Sequence, residues 1–167
     1  MIPQSVLLSH YKRKDVQEEM LIHAKSREMA VRFEDKFGSR PDMVNAGSDI
    51  LEYAKQGATS FHCSEELWRN PLQLKSEMTR LEQDNLRSGW DLVIDVDCPV
   101  WEYSKLITHF IIQALRENGV TSISCKFSGN KGFHIGVPFE AFPKKVGEKE
   151  SRLLFPDGVR IIAAYLV

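Results

Sequence analysis

Asp91-Leu92-Val93-Ile94-Asp95-Val96-Asp97 is the stretch whose reading decides the fold. Side chains along a β-strand point to opposite faces in turn. Leu92, Ile94 and Val96 therefore share one face of this predicted strand, and Asp95 and Asp97 share the other. The same alternation recurs at 122–127, where Ile123, Cys125 and Phe127 oppose Ser124, Lys126 and Ser128. It recurs again at 133–137, where Phe133, Ile135 and Val137 oppose Gly132, His134 and Gly136. Between the first two strands, residues 101–118 predict an amphipathic helix. Leu106, Ile107, Phe110, Ile111, Ala114 and Leu115 are its apolar positions, and Gly119 ends it. Strand, helix, strand, turn, strand is the order of an α+β layer, a mixed central β-sheet with flanking helices. If the strands are neighbours, one sheet face is apolar. The opposite face then collects Asp95, Asp97, Lys126, Ser128, His134 and two glycines.

Upstream the signals are weaker. Residues 12–25 have helical spacing, with Val16, Met20 and His23 or Ala24 recurring. Met29, Val31 and Phe33 alternate with polar neighbours as in a half-buried strand, and 60–63 predicts another. Ser48 is placed to cap a short helix over 49–56, and Pro71 to open a longer one to about Arg87. The whole of 1–167 is read as a single domain. It comprises a mixed α/β part over 1–88, a site-bearing part over 89–143 and a helical segment over 144–167. The apolar run at 161–167 is unusual for the close of a domain and predicts an incomplete C-terminal end.

Bulk properties narrow the class. With 43% hydrophobic and 27% charged residues, this is an ordinary globular composition. The net charge of -1 lends no support to nucleic-acid binding, although Lys12, Arg13 and Lys14 cluster early and Lys144, Lys145 and Lys149 late. Cys63, Cys98 and Cys125 stand singly, with neither disulfide nor zinc-ligand spacing, so no zinc site is predicted. No apolar run approaches membrane-spanning length and no leader pattern is present. An intracellular protein, cytoplasmic or nucleoid-associated, with no membrane partner is expected.

The polar face has a chemistry. Carboxylates at i and i+2 on one strand face sit roughly 6–7 Å apart at Cα, a spacing suited to shared Mg²⁺ or Mn²⁺. The plainer alternative is a pair of solvated acids at a strand end. Ser128-Gly129-Asn130-Lys131-Gly132 offers backbone N–H groups, a hydroxyl and a flexible cation, the makings of an anion-binding concavity. It also has the composition of a simple hairpin turn. His134 reads either as a phosphate donor or as a satisfied, half-buried histidine.

Taken together, these residues resemble the catalytic small subunit of archaeo-eukaryotic-type DNA primases and their primase-polymerase relatives. Asp91-Leu-Val-Ile-Asp95-Val-Asp97 is similar to that family's apolar strand ending in Asp-x-Asp. Phe127-Ser128-Gly129-Asn130-Lys131-Gly132-Phe133-His134-Ile135 is similar to its Ser-Gly-x-x-Gly-x-His motif. Arg27-Glu28 resembles the Arg-Glu pair ahead of the first motif, and the likeness spans about 11–143. It implies an RRM-like primase catalytic core and template-directed nucleotidyl transfer with pyrophosphate release. Asp95 and Asp97 would hold two divalent ions, Mg²⁺ or Mn²⁺. Ser128, Gly129, Asn130, Lys131 and His134 would receive the nucleotide triphosphate, with Glu28 and Lys126 in support. The implied partners are a single-stranded DNA template, nucleoside triphosphates, and a large primase subunit or another replication or repair protein. Asn130 departs from the family's basic pair, and nothing after Val137 matches its third metal-binding acid, which is expected beyond residue 167. Two other readings stand beside this one. The first is a nucleotide- or nucleic-acid-binding module of the same fold without a complete metal site. The second is a haloacid-dehalogenase-like phosphatase, whose acids are followed by Gly-Thr where Cys98-Pro99 stand here.

Overall fold

The structure, a computed structural model, describes residues 2–166. The chain divides into two compact units, Met1–Ser88 and Gly89–Val167, each with its own core. It is α+β, with six helices and small sheets among the described residues. There the expected single mixed sheet is replaced by four small ones, of two or three strands each. Every strand pair whose register is defined runs antiparallel. No helix among the described residues is long and apolar enough to cross a membrane.

The first unit opens with α1 (Gln4–Tyr11), which the sequence reading did not anticipate, followed by α2 (Lys14–Ala24). The strand β1 (Met29–Phe33) pairs with β2 (Lys36–Phe37) on one edge. On its other edge, beyond α3 (Gly47–Lys55) in sequence, lies β3 (Ser60–Cys63). Helix α3 begins two residues before the expected start, because the cap is not Ser48. The Asp49 carboxylate accepts from the backbone N–H groups of Asn45 and Ala46 instead. Leu7, Tyr11, Ala24, Met29, Val44, Ile50 and Ala54 form the core.

The single helix expected from Pro71 to about Arg87 is two pieces. After β4 (Glu66–Trp68), a one-turn 3-10 helix spans Pro71–Gln73, with the Asn70 side chain accepting from Leu72 N. Helix α4 (Arg80–Leu86) then starts afresh at Thr79. The Glu82 carboxylate accepts from Thr79 N and the Thr79 hydroxyl accepts from Glu82 N, a reciprocal box that restarts the helix. The Thr-x-x-Glu pattern at 79–82 was the legible signal. Strand β5 (Arg87–Trp90) pairs with β4 and carries the chain into the second unit.

That unit is built on β6 (Leu92–Asp97), α5 (Trp101–Glu117), β7 (Ser124–Phe127) and β8 (Gly132–Val137). The sheet order is β6-β8-β7, so β8 lies between two strands joined through a helix. Helix α5 packs on β8 and β6. The apolar residues Leu92, Val96, Ile135, Val137, Ile111 and Leu115 interlock beneath it. At the far end, Trp90 is 1% exposed and packs among Phe139, Phe142 and Phe155, with its Nε1 donating to Ser151 O at 2.8 Å. Burial of an aromatic on this scale contributes on the order of 2–3 kcal/mol.

Two expectations are corrected here. Of the six apolar positions read for α5, Ile111 and Leu115 are buried, but Leu106, Ile107 and Phe110 are exposed. Ser104 and Thr108 join Ile111 and Leu115 on the inward face. Both inward hydroxyls have hydrogen-bond partners, Ser104 with Lys131 O and Thr108 with Ser104 O. The segment 144–167 is helical only in its last part. It begins as a hairpin of β9 (Lys145–Val146) and β10 (Lys149–Glu150), turns once through Ser151–Leu154, and ends in α6 (Asp157–Leu166). Val167, the last residue of the apolar run, lies outside the described residues.

Candidate functional site

The polar face forms through cross-strand register. Asp95 of β6 lies opposite His134 of β8, and His134 lies opposite Lys126 of β7. Carboxylate, imidazole and ammonium thus make one row across the sheet. His134 Nε2 stands 3.5 Å from Asp95 Oδ1, with side-chain exposures of 34% and 66%. One row nearer the turn, Asp97 pairs with Gly132, and one row further away Val93 pairs with Gly136 and Ser124 with Gly136. Asp95, Asp97 and Lys126 are all exposed, while Leu92, Val96, Ile135 and Val137 are buried on the other face. Alternation fails only partly, at β7. Cys125 and Phe127 were expected among the covered apolar positions, yet both are exposed on this edge strand.

The turn 128–131 joins β7 to β8 at the strand ends, next to the Asp97–Gly132 pair. Its closure uses the Ser128 backbone N–H, which donates to Gly132 O at 2.9 Å. The Ser128 hydroxyl oxygen accepts from Asn130 N at 3.4 Å and Gly132 N at 3.3 Å. A hydroxyl whose oxygen accepts within the turn still has its own proton to donate. Gly129 has φ +90, a backbone conformation that glycine adopts without penalty. Gly132 is required for a different reason: a Cβ there would lie 1.6 Å from Val96 O. The turn is therefore pressed against the backbone of the strand that carries Asp95 and Asp97.

Aromatic packing braces the same end. Trp101, at the start of α5, lies 5.5 Å from Phe127 and 5.2 Å from Phe133, ring centre to ring centre. At the opposite end, Asp91 Oδ1 accepts from Phe139 N at 2.9 Å, tying the start of β6 to the segment leaving β8.

Glu28 belongs to the other unit. It is buried, and Arg40 closes on both of its carboxylate oxygens at 2.7 Å. That unit also holds a cavity of about 680 Å³ lined by residues including Glu28, Arg40, Glu66, Trp68 and Lys75. Sequence reasoning missed Arg40 as the partner of Glu28, and no spacing pattern marks it. It also missed Ser104, whose buried hydroxyl donates to Lys131 O at 2.8 Å. Hydroxyl residues at 104 and 108 inside an apolar helix were the available signal.

Two exposed carboxylates are the hard oxygen donors that Mg²⁺ and Mn²⁺ take, and Mg²⁺ is commonly held by one or two carboxylates plus substrate phosphates. Asp95 and Asp97 fit that part of a site. Among the described residues, no three His, Cys, Asp or Glu side chains gather into a ready-made metal centre.

The chain matches no protein-family model. It is 27% identical over 127 residues to an uncharacterized protein of Methanocaldococcus jannaschii, a match covering 75% of this chain. The matched stretch is 26% of the length of that archaeal protein, so the chain spans about a quarter of the relative it resembles.

Proposed function

We propose that this chain binds a nucleoside triphosphate at the 128–131 turn and divalent metal at Asp95 and Asp97. On this reading it is a nucleotidyltransferase core of the DNA primase and primase-polymerase type, acting on a single-stranded DNA template inside the cell. The observation that carries it is the Asp95–His134–Lys126 row lying on the same sheet face as Asp97, whose partner Gly132 adjoins a glycine-bearing turn. Topology supports it as well. A strand–helix–strand–strand run with sheet order β6-β8-β7 is the split arrangement of ferredoxin-like and RRM-like cores, and α6 supplies the helix that follows.

In this reading the Ser128 hydroxyl, the Lys131 ammonium and His134 hold the phosphates, with Gly129 and Asn130 shaping the turn. Charge-assisted contacts of this kind contribute roughly 1.5–3 kcal/mol each. Asp95 and Asp97 would hold two ions, Mg²⁺ or Mn²⁺, which when bound supply charge neutralisation to the attacking and departing oxygens. The 3′-hydroxyl oxygen of the growing strand forms a bond to the α-phosphorus. The bond from that phosphorus to the bridging oxygen breaks, pyrophosphate leaves, and the hydroxyl proton passes to solvent. Lys126 extends the positive side of the row. A large primase subunit or another replication or repair protein is the partner this reading implies.

A second reading has its own observation. It is a nucleotide- or nucleic-acid-binding module of the same fold, and what favours it is that among the described residues no third His, Cys, Asp or Glu gathers with Asp95 and Asp97. Two measurements on this chain separate the readings. The first is calorimetric titration of nucleoside triphosphate with and without Mn²⁺, and the second is primer extension on a single-stranded template. Metal-dependent binding with extension supports the enzyme, and binding without extension supports the module. Absence of binding removes both.

A further inference from the structure

Helix α5 has two faces it might have buried. Tyr103, Leu106, Ile107 and Phe110 form a stripe of large apolar side chains at helical spacing, yet these are 60%, 49%, 42% and 56% exposed. The face turned to the sheet begins instead with Ser104, at 0% exposure, and Thr108, at 6%. Burying hydroxyls costs free energy unless each has a partner. Both do. Thr108 Oγ1 donates to Ser104 O at 2.7 Å, inside the helix. Ser104 Oγ donates out of the helix, to Lys131 O at 2.8 Å.

Lys131 is the last residue of the turn, so this bond ties the first turn of α5 to the loop joining β7 to β8. The peptide that follows is held from its other side as well. Gly132 lies against the Val96 carbonyl with no space for a Cβ. The junction of Lys131 and Gly132 is thus fixed between a helix hydroxyl and a strand carbonyl. A peptide unit is planar, so holding its carbonyl holds the Lys131 Cα from which the side chain departs. An apolar residue at 104 would leave Lys131 O without this donor.

We infer that Ser104 is the positioning residue of the phosphate-binding turn, acting through the Lys131 carbonyl to aim the Lys131 ammonium at a nucleotide triphosphate. This rests on the reading of 128–131 as the triphosphate site. Ser104 itself touches no ligand. It pre-pays the ordering of the turn, which otherwise counts against binding.

The test is calorimetric titration of ATP with Mn²⁺ into the full chain, comparing wild type, Ser104→Ala, Ser104→Cys, Lys131→Ala and the Ser104→Ala/Lys131→Ala double variant. Thermal melting of each protein alone is the control. Ser104→Ala is expected to weaken ATP about tenfold, and Ser104→Cys, which keeps the volume and a weak donor, by less. The double variant is expected to bind no more weakly than Lys131→Ala alone, because Ser104 acts through Lys131. That non-additivity is what a merely structural serine would not produce. Wild-type affinity in Ser104→Ala or Ser104→Cys overturns the inference, as does additive weakening in the double variant. If Ser104→Ala does not fold, the cysteine variant decides by the same comparison. No ATP binding by wild type sinks the triphosphate reading and this inference together, whereas wild-type binding with an unaffected Ser104→Cys sinks this inference alone.

Discussion

Asp95 and His134 face each other across the β6–β8 ladder, with His134 Nε2 3.5 Å from Asp95 Oδ1. The pair puts an acceptor-only carboxylate beside a ring able to donate, on the open face of the sheet. Directly opposed polar pairs across a ladder contribute roughly 0.2–1 kcal/mol, so stability alone gives little reason for the arrangement. Its value lies in what it presents to a ligand carrying both phosphate and metal.

Replacing Asp95 with Asn is therefore expected to remove the Mn²⁺-dependent part of ATP affinity, at least tenfold, with the melting temperature little changed. His134→Ala is expected to weaken ATP with or without metal. Calorimetry in Mn²⁺ and in chelator distinguishes the two. An Asp95→Asn protein that still gains affinity from Mn²⁺ would remove Asp95 from the metal site.

Gly132→Ala is expected to destabilise the second unit by about 3 kcal/mol, since a Cβ 1.6 Å from Val96 O forces one strand to shift. Gly129→Ala meets nothing within 4 Å and incurs only the cost of its φ of +90, about 1 kcal/mol. Urea unfolding of both variants checks the ranking. Equal effects would show that the turn does not press on β6.

In the first unit Arg87 is 2% exposed and is shared by Glu66 and Asp84. Removing one partner of a buried ion pair strands the others, so Arg87→Ala is expected to cost about 3–5 kcal/mol in denaturant unfolding. Stability unchanged by the substitution would mean that the network contributes nothing.

Burial holds the Glu66 carboxyl above its ordinary value of 4.5, with Arg87 opposing the shift. A raised carboxyl binds its proton more tightly in the folded than in the unfolded chain. Its contribution to stability is therefore complete below pH 4.5 and is lost as pH rises through the folded value. Replacing Arg87 with Met removes the opposing charge, so stability should fall more steeply between about pH 4.5 and 7 than in wild type. Urea midpoints at several pH values provide the check, and parallel pH profiles would contradict it.

The two faces of α5 give a control. Leu106→Glu and Phe110→Ser fall on exposed positions and are expected to change stability by no more than about 0.5 kcal/mol. Ile111→Ala empties a core position and is expected to cost about 2–5 kcal/mol. A reversed order would restore the sequence-based assignment of the helix face.

Period-two alternation was enough to place β6 and β8, to separate Leu92 and Val96 from Asp95 and Asp97, and to put His134 on the carboxylate side. Strand geometry leaves little freedom once one face must be buried, so these residues were legible from order alone. The faces of α5 were not. Its sequence carries two candidate stripes, and only the tertiary structure selects the one with Ser104 and Thr108, where Ser104 finds an acceptor in Lys131 O. The broken helix at 71–86 was readable in principle, since Thr79 and Glu82 form a local box. The sites of Glu28 and Arg87 were not, because Arg40 lies 12 positions from Glu28 and Glu66 lies 21 from Arg87, beside its local partner Asp84, and only folding brings these distant partners in. Local periodicity thus sets which residues share a face. Long-range packing alone decides which face is covered, which charges are paired, and how the 128–131 turn is held.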